Sequence, residues 1–361
     1  MHVVYAHCCG WDVHKKTIPA CLLISGARGK EQHEIRRFGT MTRDLLALAD
    51  WLQSQQVTPV AMESTGVYWK PVWNILEGQF EVVLVNAQPI KAVPGRKTDT
   101  KDCQWIAELL QHGLVRGSFI PPPIRQLRDL TRMRASLRQD HTAVANRMQK
   151  VLEDANIKLA AVASDWLGVS GRAILAQLLA GEEDAEKLAQ LSRGRLRSKL
   201  PARQLALAGH MTAHHRWMLR VLQEQLVFLE AQIAKLEAKI QDQVRADREA
   251  LELCTTIPGV EEVAAANLIA EIGVNMDQFP SAQHLASWAG ICPGNHESAG
   301  KRLSGKPRKG SPWLRRSLWQ AAWAASHTKE TYLAARFRRL AARKGKQRAI
   351  VAVAHTILVS L

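Results

Sequence analysis

Seven apolar residues, Leu219, Leu222, Leu226, Leu229, Ile233, Leu236 and Ile240, recur at spacings that alternate without a miss between three and four. That is the a/d seam of a heptad repeat. It commits residues 203–245 to a long helix with one narrow apolar stripe, and such a stripe needs a partner helix. A second long helical pattern, 126–158, puts Leu127, Leu130, Leu137, Val144, Met148 and Val151 on one stripe, with Arg134 and His141 interrupting it. The seam pairs with that helix, with a second copy of the chain, or with both.

Ahead of these helices the periodicity is that of strands. "HVVYAHCCGWDV", "TIPACLLIS" and "HEIRRFGT" read as three strands, residues 42–55 as a helix capped by Thr42, and 58–65 as a short strand ending at Glu63. A short helix over 68–78 stops at Gly78, a buried strand covers 80–86, and a further helix begins near Asp99. This order predicts an α/β domain, a mixed sheet flanked by helices. "PPPIRQL" at 121–127 marks its end. The expected domains are 1–122, a helical coiled-coil segment over 123–248, and a mainly α domain over 249–361. In the last, "LCTTIPGVEEVAAANLIAEIG" reads as a helix-hairpin-helix whose turn at Gly259 can offer backbone N–H groups to a phosphate. A plain helical corner fits the same residues equally well.

The 361 residues are 47% hydrophobic and 23% charged, the balance of a folded globular chain and not of a disordered one. No stretch has the length and purity of a membrane span, and the first residues read as a strand and not as a secretory signal. The formal net charge of +16 attracts polyanions, nucleic acid before membrane. From Lys301 onward there are fifteen Lys or Arg and one acid, Glu330. Lys301, Arg302, Lys306, Arg308, Lys309, Arg315 and Arg316 are the expected phosphate contacts there, and Arg96, Lys97 and Lys101 in the first domain. The six cysteines form no C-x-x-C pair, so zinc is not supported and a reducing cytoplasm is expected. The final apolar run ends at Leu361 without a cap or polar tail, which suggests a truncated C-terminal end.

Four carboxylates sit where strands end or helices begin: Asp12, Glu63, and Asp99 and Asp102 one helical turn apart. Oxygen ligands of this kind suit Mg²⁺ or Mn²⁺, and two such ions can clamp both oxygens of an in-line phosphoryl displacement. Each acid also has a plainer reading. Asp99 and Asp102 in a first helical turn are stabilised by the helix dipole alone, and Asp12 can open a turn.

"GWDVHKKTIPACL", "MESTGVYWKPVWNIL", "VNAQPIKAVPGRKTDTKDCQWIAELLQHGLV" and the run from "IPGVEEVAAANLIAEIG" to "SPWLRRSLWQAAWAA" resemble, in order and spacing, the DEDD transposases of the insertion sequence 110 family, in its insertion sequence 1111 branch. The resemblance covers most of the chain, and its first and last thirds are the specific parts. It implies a RuvC-like, RNase H-type N-terminal domain, a helical coiled coil, and a C-terminal transposase domain. Asp12, Glu63, Asp99 and Asp102 match the family's metal-binding acids. Ser298 in "GNHESAGK" matches its nucleophilic serine, with Ser304 in "LSGK" as the alternative. His296 is a weak candidate for the base.

The resemblance also implies an element-encoded structured RNA that guides the enzyme to donor and target DNA, a covalent serine–DNA intermediate, and a homo-oligomer, a dimer or dimer of dimers. A bacterial, nucleoid-associated cytoplasmic location follows. Family members commonly continue past the equivalent of Leu361. Two other readings stand beside this one: a RuvC-like structure-selective DNA nuclease in which Ser298 is a loop residue, and a non-catalytic nucleic-acid-binding oligomer.

Overall fold

The computed structural model describes residues 2–26, 31–63, 66–85, 99–115, 117, 124–162, 165–192, 200–292, 296–298, 301–304 and 310–361, with backbone only at 31, 99, 100, 162, 200, 203, 296–298 and 301–304. The chain divides into two compact units, Met1–Ile120 and Pro121–Leu361. Among the described residues no helix is long and apolar enough to cross a membrane.

The first unit is built on five strands: β1 (His7–Trp11), β2 (Thr17–Ser25), β3 (Glu31–Gly39), β4 (Pro59–Glu63) and β5 (Glu81–Val85). Their order across the sheet is β3-β2-β1-β4-β5. β1, β2 and β3 pair antiparallel, and β4 is parallel to both β1 and β5. This is the strand order of an RNase H-type fold. Helices α1 (Thr42–Ser54), α2 (Trp69–Leu76) and α3 (Asp99–Gln111) cover the sheet.

Successive side chains of a strand point to opposite faces, and the core obeys that rule. Cys9, Trp11, Ile18, Ala20 and Leu22 join Leu45, Leu48 and Leu52 of α1 and Leu76 of α2. Cys8, Cys21, Leu23 and Ala61 join Cys103, Ile106, Ala107 and Leu110 of α3 on the other face. Both faces being covered explains why the strands read as near-continuous apolar runs. Thr42 is the first helical residue of α1 and Met41 its N-cap, with no side-chain cap bond.

The second unit starts with α4 (Arg125–Asp154). Three short helices follow, α5 (Leu159–Val162), α6 (Val169–Ala180) and α7 (Ala185–Gln190), then α8 (Leu200–Leu207) and α9 (Ala213–Val244). The pattern read over 203–245 is thus two helices. Gly209 lies against the Ala155 carbonyl, where a Cβ would come within 2.5 Å, and Thr212 and His215 form a capping box that starts α9.

The seam finds its partner within the chain. α9 runs antiparallel along α4, burying Leu219, Leu226, Leu229, Ile233 and Ile240. The two interruptions in the α4 stripe become intelligible here. Arg134 is 2.6 Å from Glu237, and His141 is 3.0 Å from Glu230, both on α9. The apolar stripe is broken where ion pairs cross the seam's flank. Arg138 adds a second contact to Glu237 at 3.2 Å, and Arg172 of α6 a second contact to Glu230.

The remainder is α10 (Arg248–Thr255), α11 (Glu262–Ile272), α12 (Ala282–Trp288), the two-stranded β6 (His296–Ser298) and β7 (Lys301–Ser304), then α13 (Pro312–His327), α14 (Tyr332–Lys344) and α15 (Lys346–Ser360). Their core centres on Leu268, Ile272, Leu314, Leu318, Ala322, Val353 and Ile357. Arg128 of α4 donates to the carbonyls of Ala270 (3.0 Å) and Glu271 (2.7 Å), satisfying last-turn acceptors of α11 that have no partner within the helix. A small cluster of Leu127, Ile240, Val244, Ala266 and Ile269 closes the same junction.

Candidate metal centre and nucleic-acid surfaces

Trp11 of β1 pairs with Met62 of β4, and the next residue on each strand is an acid. Asp12 follows directly on β1 and Glu63 ends β4, so both acids sit at the C-terminal edge of two adjacent parallel strands. The Asp12 amide still donates to the Pro19 carbonyl of β2 (3.1 Å), which holds it in line with the sheet. Both carboxylates are buried, 5% and 4% exposed. Two neighbouring carboxylates removed from water repel each other and forgo hydration, so charge there requires cationic compensation.

α3 brings the remaining acids to this edge by its direction. The amides of Val4 and Tyr5 donate to the Gln111 carbonyl, the Cys8 thiol faces the Ala107 carbonyl (3.7 Å), and Gly10 faces Cys103 and Ala107. As the chain advances from Val4 through β1 to Gly10, its contacts on α3 retreat from Gln111 to Cys103. The N-terminal turn of α3, with Asp99 and Asp102, is directed to the end of β1, which Asp12 follows. The Asp99 side chain lies outside the described residues, and Asp102 is half-buried. Burial, with Asp12 and Asp102 nearby, pushes the Cys103 thiol up to about 11.

The pattern of acids did not reveal His14, whose Nε2 is 3.0 Å from Asp12 Oδ2. It lies two residues beyond Asp12, in the turn closed by its own amide donating to the Thr17 carbonyl (3.0 Å). Among the described residues, no three His, Cys, Asp or Glu side chains are grouped to hold a metal ion. The donor chemistry at this edge is nonetheless that of hard cations. Magnesium is commonly held by one or two carboxylates, the rest of its shell being water and substrate phosphate. Asp12 and Glu63 meet that requirement.

Ser298 lies in the second unit, at the last position of β6. It pairs with Lys301, whereas His296 pairs with Ser304 at the far end of β7. The candidate base is therefore in register with the alternative serine. Neither strand of this hairpin carries an apolar alternation, so no local pattern in the sequence marks it.

The predicted cationic contacts divide. Arg96, Lys97, Lys306, Arg308 and Lys309 lie outside the described residues, and Lys301 and Arg302 are placed only as backbone of β7. Lys101 is exposed on α3. Arg315 stacks over Trp319 (4.6 Å), and Arg316, exposed, lies over Trp313 (5.4 Å). Gly259 has φ +86°, and a Cβ there would meet the Ala321 carbonyl at 2.4 Å and the Ala325 nitrogen at 2.5 Å. The glycine thus serves the close approach of the turn to α13. No side chain caps α11, which begins after Glu261.

An RNase H-type α/β unit with a carboxylate edge, joined to a basic helical unit, defines a class of proteins that act on nucleic acid. Two family models match: one for DEDD transposases, described as "Transposase", over residues 9–157, and "Transposase IS116/IS110/IS902 family" over 251–338. The chain belongs to the IS110 family of transposases. A "Probable family 20 transposase" of Pseudomonas aeruginosa is 28% identical over 270 residues, 73% of this chain and 70% of the relative. An "Insertion element IS110 uncharacterized 43.6 kDa protein" of Streptomyces coelicolor is 37% identical over 122 residues, 33% of this chain and 25% of the relative. Among solved structures, T. thermophilus RuvC in complex with a Holliday junction substrate matches 31% of this chain and 99% of its own at 11% identity. Its TM-score is 0.23, and the fold assignment rests on the strand order instead.

Proposed function

We propose that the chain is a DNA recombinase of an insertion sequence, which cuts and rejoins DNA through a serine–DNA linkage under the direction of an element-encoded structured RNA. The observation that carries the reading is the placement of buried Asp12 and Glu63 at the C-terminal edge of two adjacent parallel strands, with the N-terminus of α3 directed to the same edge. Asp12, Glu63, Asp99 and Asp102 are the ligands for Mg²⁺, or Mn²⁺ in its place. A divalent ion bound there supplies Lewis-acid stabilisation of the charge that develops at phosphorus.

The chain's own residues supply position and the nucleophile. Asp12 and Glu63 are fixed by the strand ladder, so little reorganisation accompanies reaction. Ser298 Oγ bonds to phosphorus as one bridging sugar oxygen departs. The serine proton passes to solvent and the departing oxygen takes one up, so charge and atoms balance. Attack by the sugar hydroxyl of a second strand reverses the step and rejoins the DNA. The four acids belong to one compact unit and Ser298 to the other, and in a dimer or dimer of dimers the serine of one copy serves the acids of another. The excess of Lys and Arg over Asp and Glu, 49 against 33, favours both DNA and RNA as partners.

The test is cleavage of supercoiled and duplex DNA by Asp12→Asn and Glu63→Gln, with protein purified alongside its flanking non-coding RNA. Each variant should lose metal-dependent cleavage by on the order of 10²–10³-fold or more while keeping DNA affinity. Cleavage unchanged in both would remove the acids from the chemistry. Sequencing the RNA that survives a high-salt wash checks the guide: a single structured species from the flanks is expected, and a heterogeneous host mixture contradicts it.

A further inference from the structure

The second unit contains a cleft of about 780 Å³ between α4, α11 and α13, lined by none of the acids or serines of the proposed reaction. Its size falls in the range of about 300–1,000 Å³ common to small-molecule sites. Four carboxamides from the three helices line it: Gln139 and Asn146 of α4, Asn267 of α11 and Gln320 of α13. Among the described residues none of the four makes a side-chain hydrogen bond. Trp313 and Arg316 line the same wall as Gln320, at i, i+3 and i+7 of α13, and so share one helical face.

The floor and the rim differ in charge. At the floor Glu271 is 3% exposed and accepts from Arg132 Nε (2.7 Å) and Nη2 (2.9 Å) and from Ser311 Oγ (2.9 Å). At the rim Arg138 and Arg316 are exposed, and one carboxylate, Glu237, serves both Arg138 and Arg134. The floor charges of Glu271 and Arg132 are paired with each other, and Glu261 is an exposed acid of the lining, so the positive charge open to a phosphate is that of Arg138 and Arg316 at the rim. An uncharged planar group suits the space among the carboxamides, of which Asn267 is half-buried and the other three are exposed. Carboxamides present a donor beside an acceptor, the pattern that matches a base edge. The Trp313 ring already meets the guanidinium groups of Arg316 (5.4 Å) and Arg132 (5.9 Å), so the exposed side of Arg316 is the plane open to a base face.

We infer that this cleft receives one unpaired nucleotide of a bound nucleic acid, its base among the carboxamides and its phosphate at Arg138 and Arg316. A paired base has its Watson–Crick edge and both faces occupied, so the cleft selects a nucleotide that is bulged or turned out of its strand. The inference rests on the proposed action on nucleic acid.

The experiment compares the full chain's affinity for fully paired duplexes with the same duplexes carrying one unpaired nucleotide, in a DNA arm and an RNA arm. Wild-type protein should prefer the bulged form by on the order of tenfold in at least one arm, which identifies the source of the nucleotide. The Asn146→Ala/Gln320→Ala double variant changes two exposed side chains, so the fold is retained. It should lose the preference and keep its affinity for paired duplex. Equal affinity of the wild type for paired and bulged forms, or a preference that survives in the double variant, overturns the cleft assignment and leaves the proposed recombinase standing. Absence of binding to every duplex overturns both.

Discussion

A Cβ on Gly10 would lie 2.4 Å from both the Ala107 nitrogen and the Cys103 carbonyl oxygen, backbone atoms that cannot swing aside. Gly10→Ala must therefore lift α3 from the sheet, at a cost of about 1–3 kcal/mol or more. Because α3 carries Asp99 and Asp102, the same change should weaken Mg²⁺ binding, read by calorimetry alongside the melting temperature. A stabilised variant with undiminished Mg²⁺ affinity would contradict the packing described. The thiols beneath this edge make a second expectation. Burial, with neighbouring Cys103 and Glu108, pushes Cys21 up to about 12, and Cys103 rises to about 11. At pH 8 neither offers appreciable thiolate, so neither should react with a thiol reagent until the protein unfolds. Rapid labelling of Cys21 in the native chain would show that this layer is open. The places of Asp12 and Glu63 at the ends of β1 and β4 were legible in the sequence because each follows an apolar run. Gly10 and His14 were not, since their importance depends on how α3 and the β1–β2 turn dock.

The α4–α9 hairpin is where periodicity was most informative and least complete. The heptad seam identified a long helix and left open its partner, which is an element separated in sequence by α5 to α8. Leu226→Ala should accordingly lower the stability of the fold by about 2–5 kcal/mol, measured by denaturant unfolding. A change in oligomeric state with stability untouched would place the seam elsewhere. Burial is the largest single influence on Glu230 and Glu237 and pushes both up. Hydrogen bonds and charge from Arg172 and His141, and from Arg134 and Arg138, outweigh it and leave both below the ordinary glutamate value. A carboxyl lowered in the folded state stabilises fully above its unfolded value of about 4.3 and loses that contribution as pH falls through the folded value. The melting-temperature advantage of wild type over Glu230→Gln/Glu237→Gln should hold at neutral pH and shrink below about pH 4. An advantage that grows with acid would reverse the sign of the argument. The break between α8 and α9 escaped the sequence reading because the local cue, Thr212 and His215, departs from the usual Ser/Thr-x-x-Glu/Gln box.

At the scale of the whole molecule, three domains were expected and the chain forms two compact units, a sheet unit with an acidic edge and a helical unit rich in Lys and Arg. The strand order was predictable only as far as a mixed sheet. Its sequence 3-2-1-4-5 depends on long-range pairing that no local pattern records. The formal charge of +16 should make the logarithm of duplex affinity fall steeply and linearly with the logarithm of salt concentration. A flat dependence would mean that the charge is not at the interface. The most direct test of the recombinase mechanism is mass spectrometry of the protein after incubation with its DNA substrates, its co-purified RNA and Mg²⁺. The expected result is a nucleotide esterified to the peptide containing Ser298, absent from Asp12→Asn. DNA cleaved with no adduct on any serine would contradict it and make water the nucleophile.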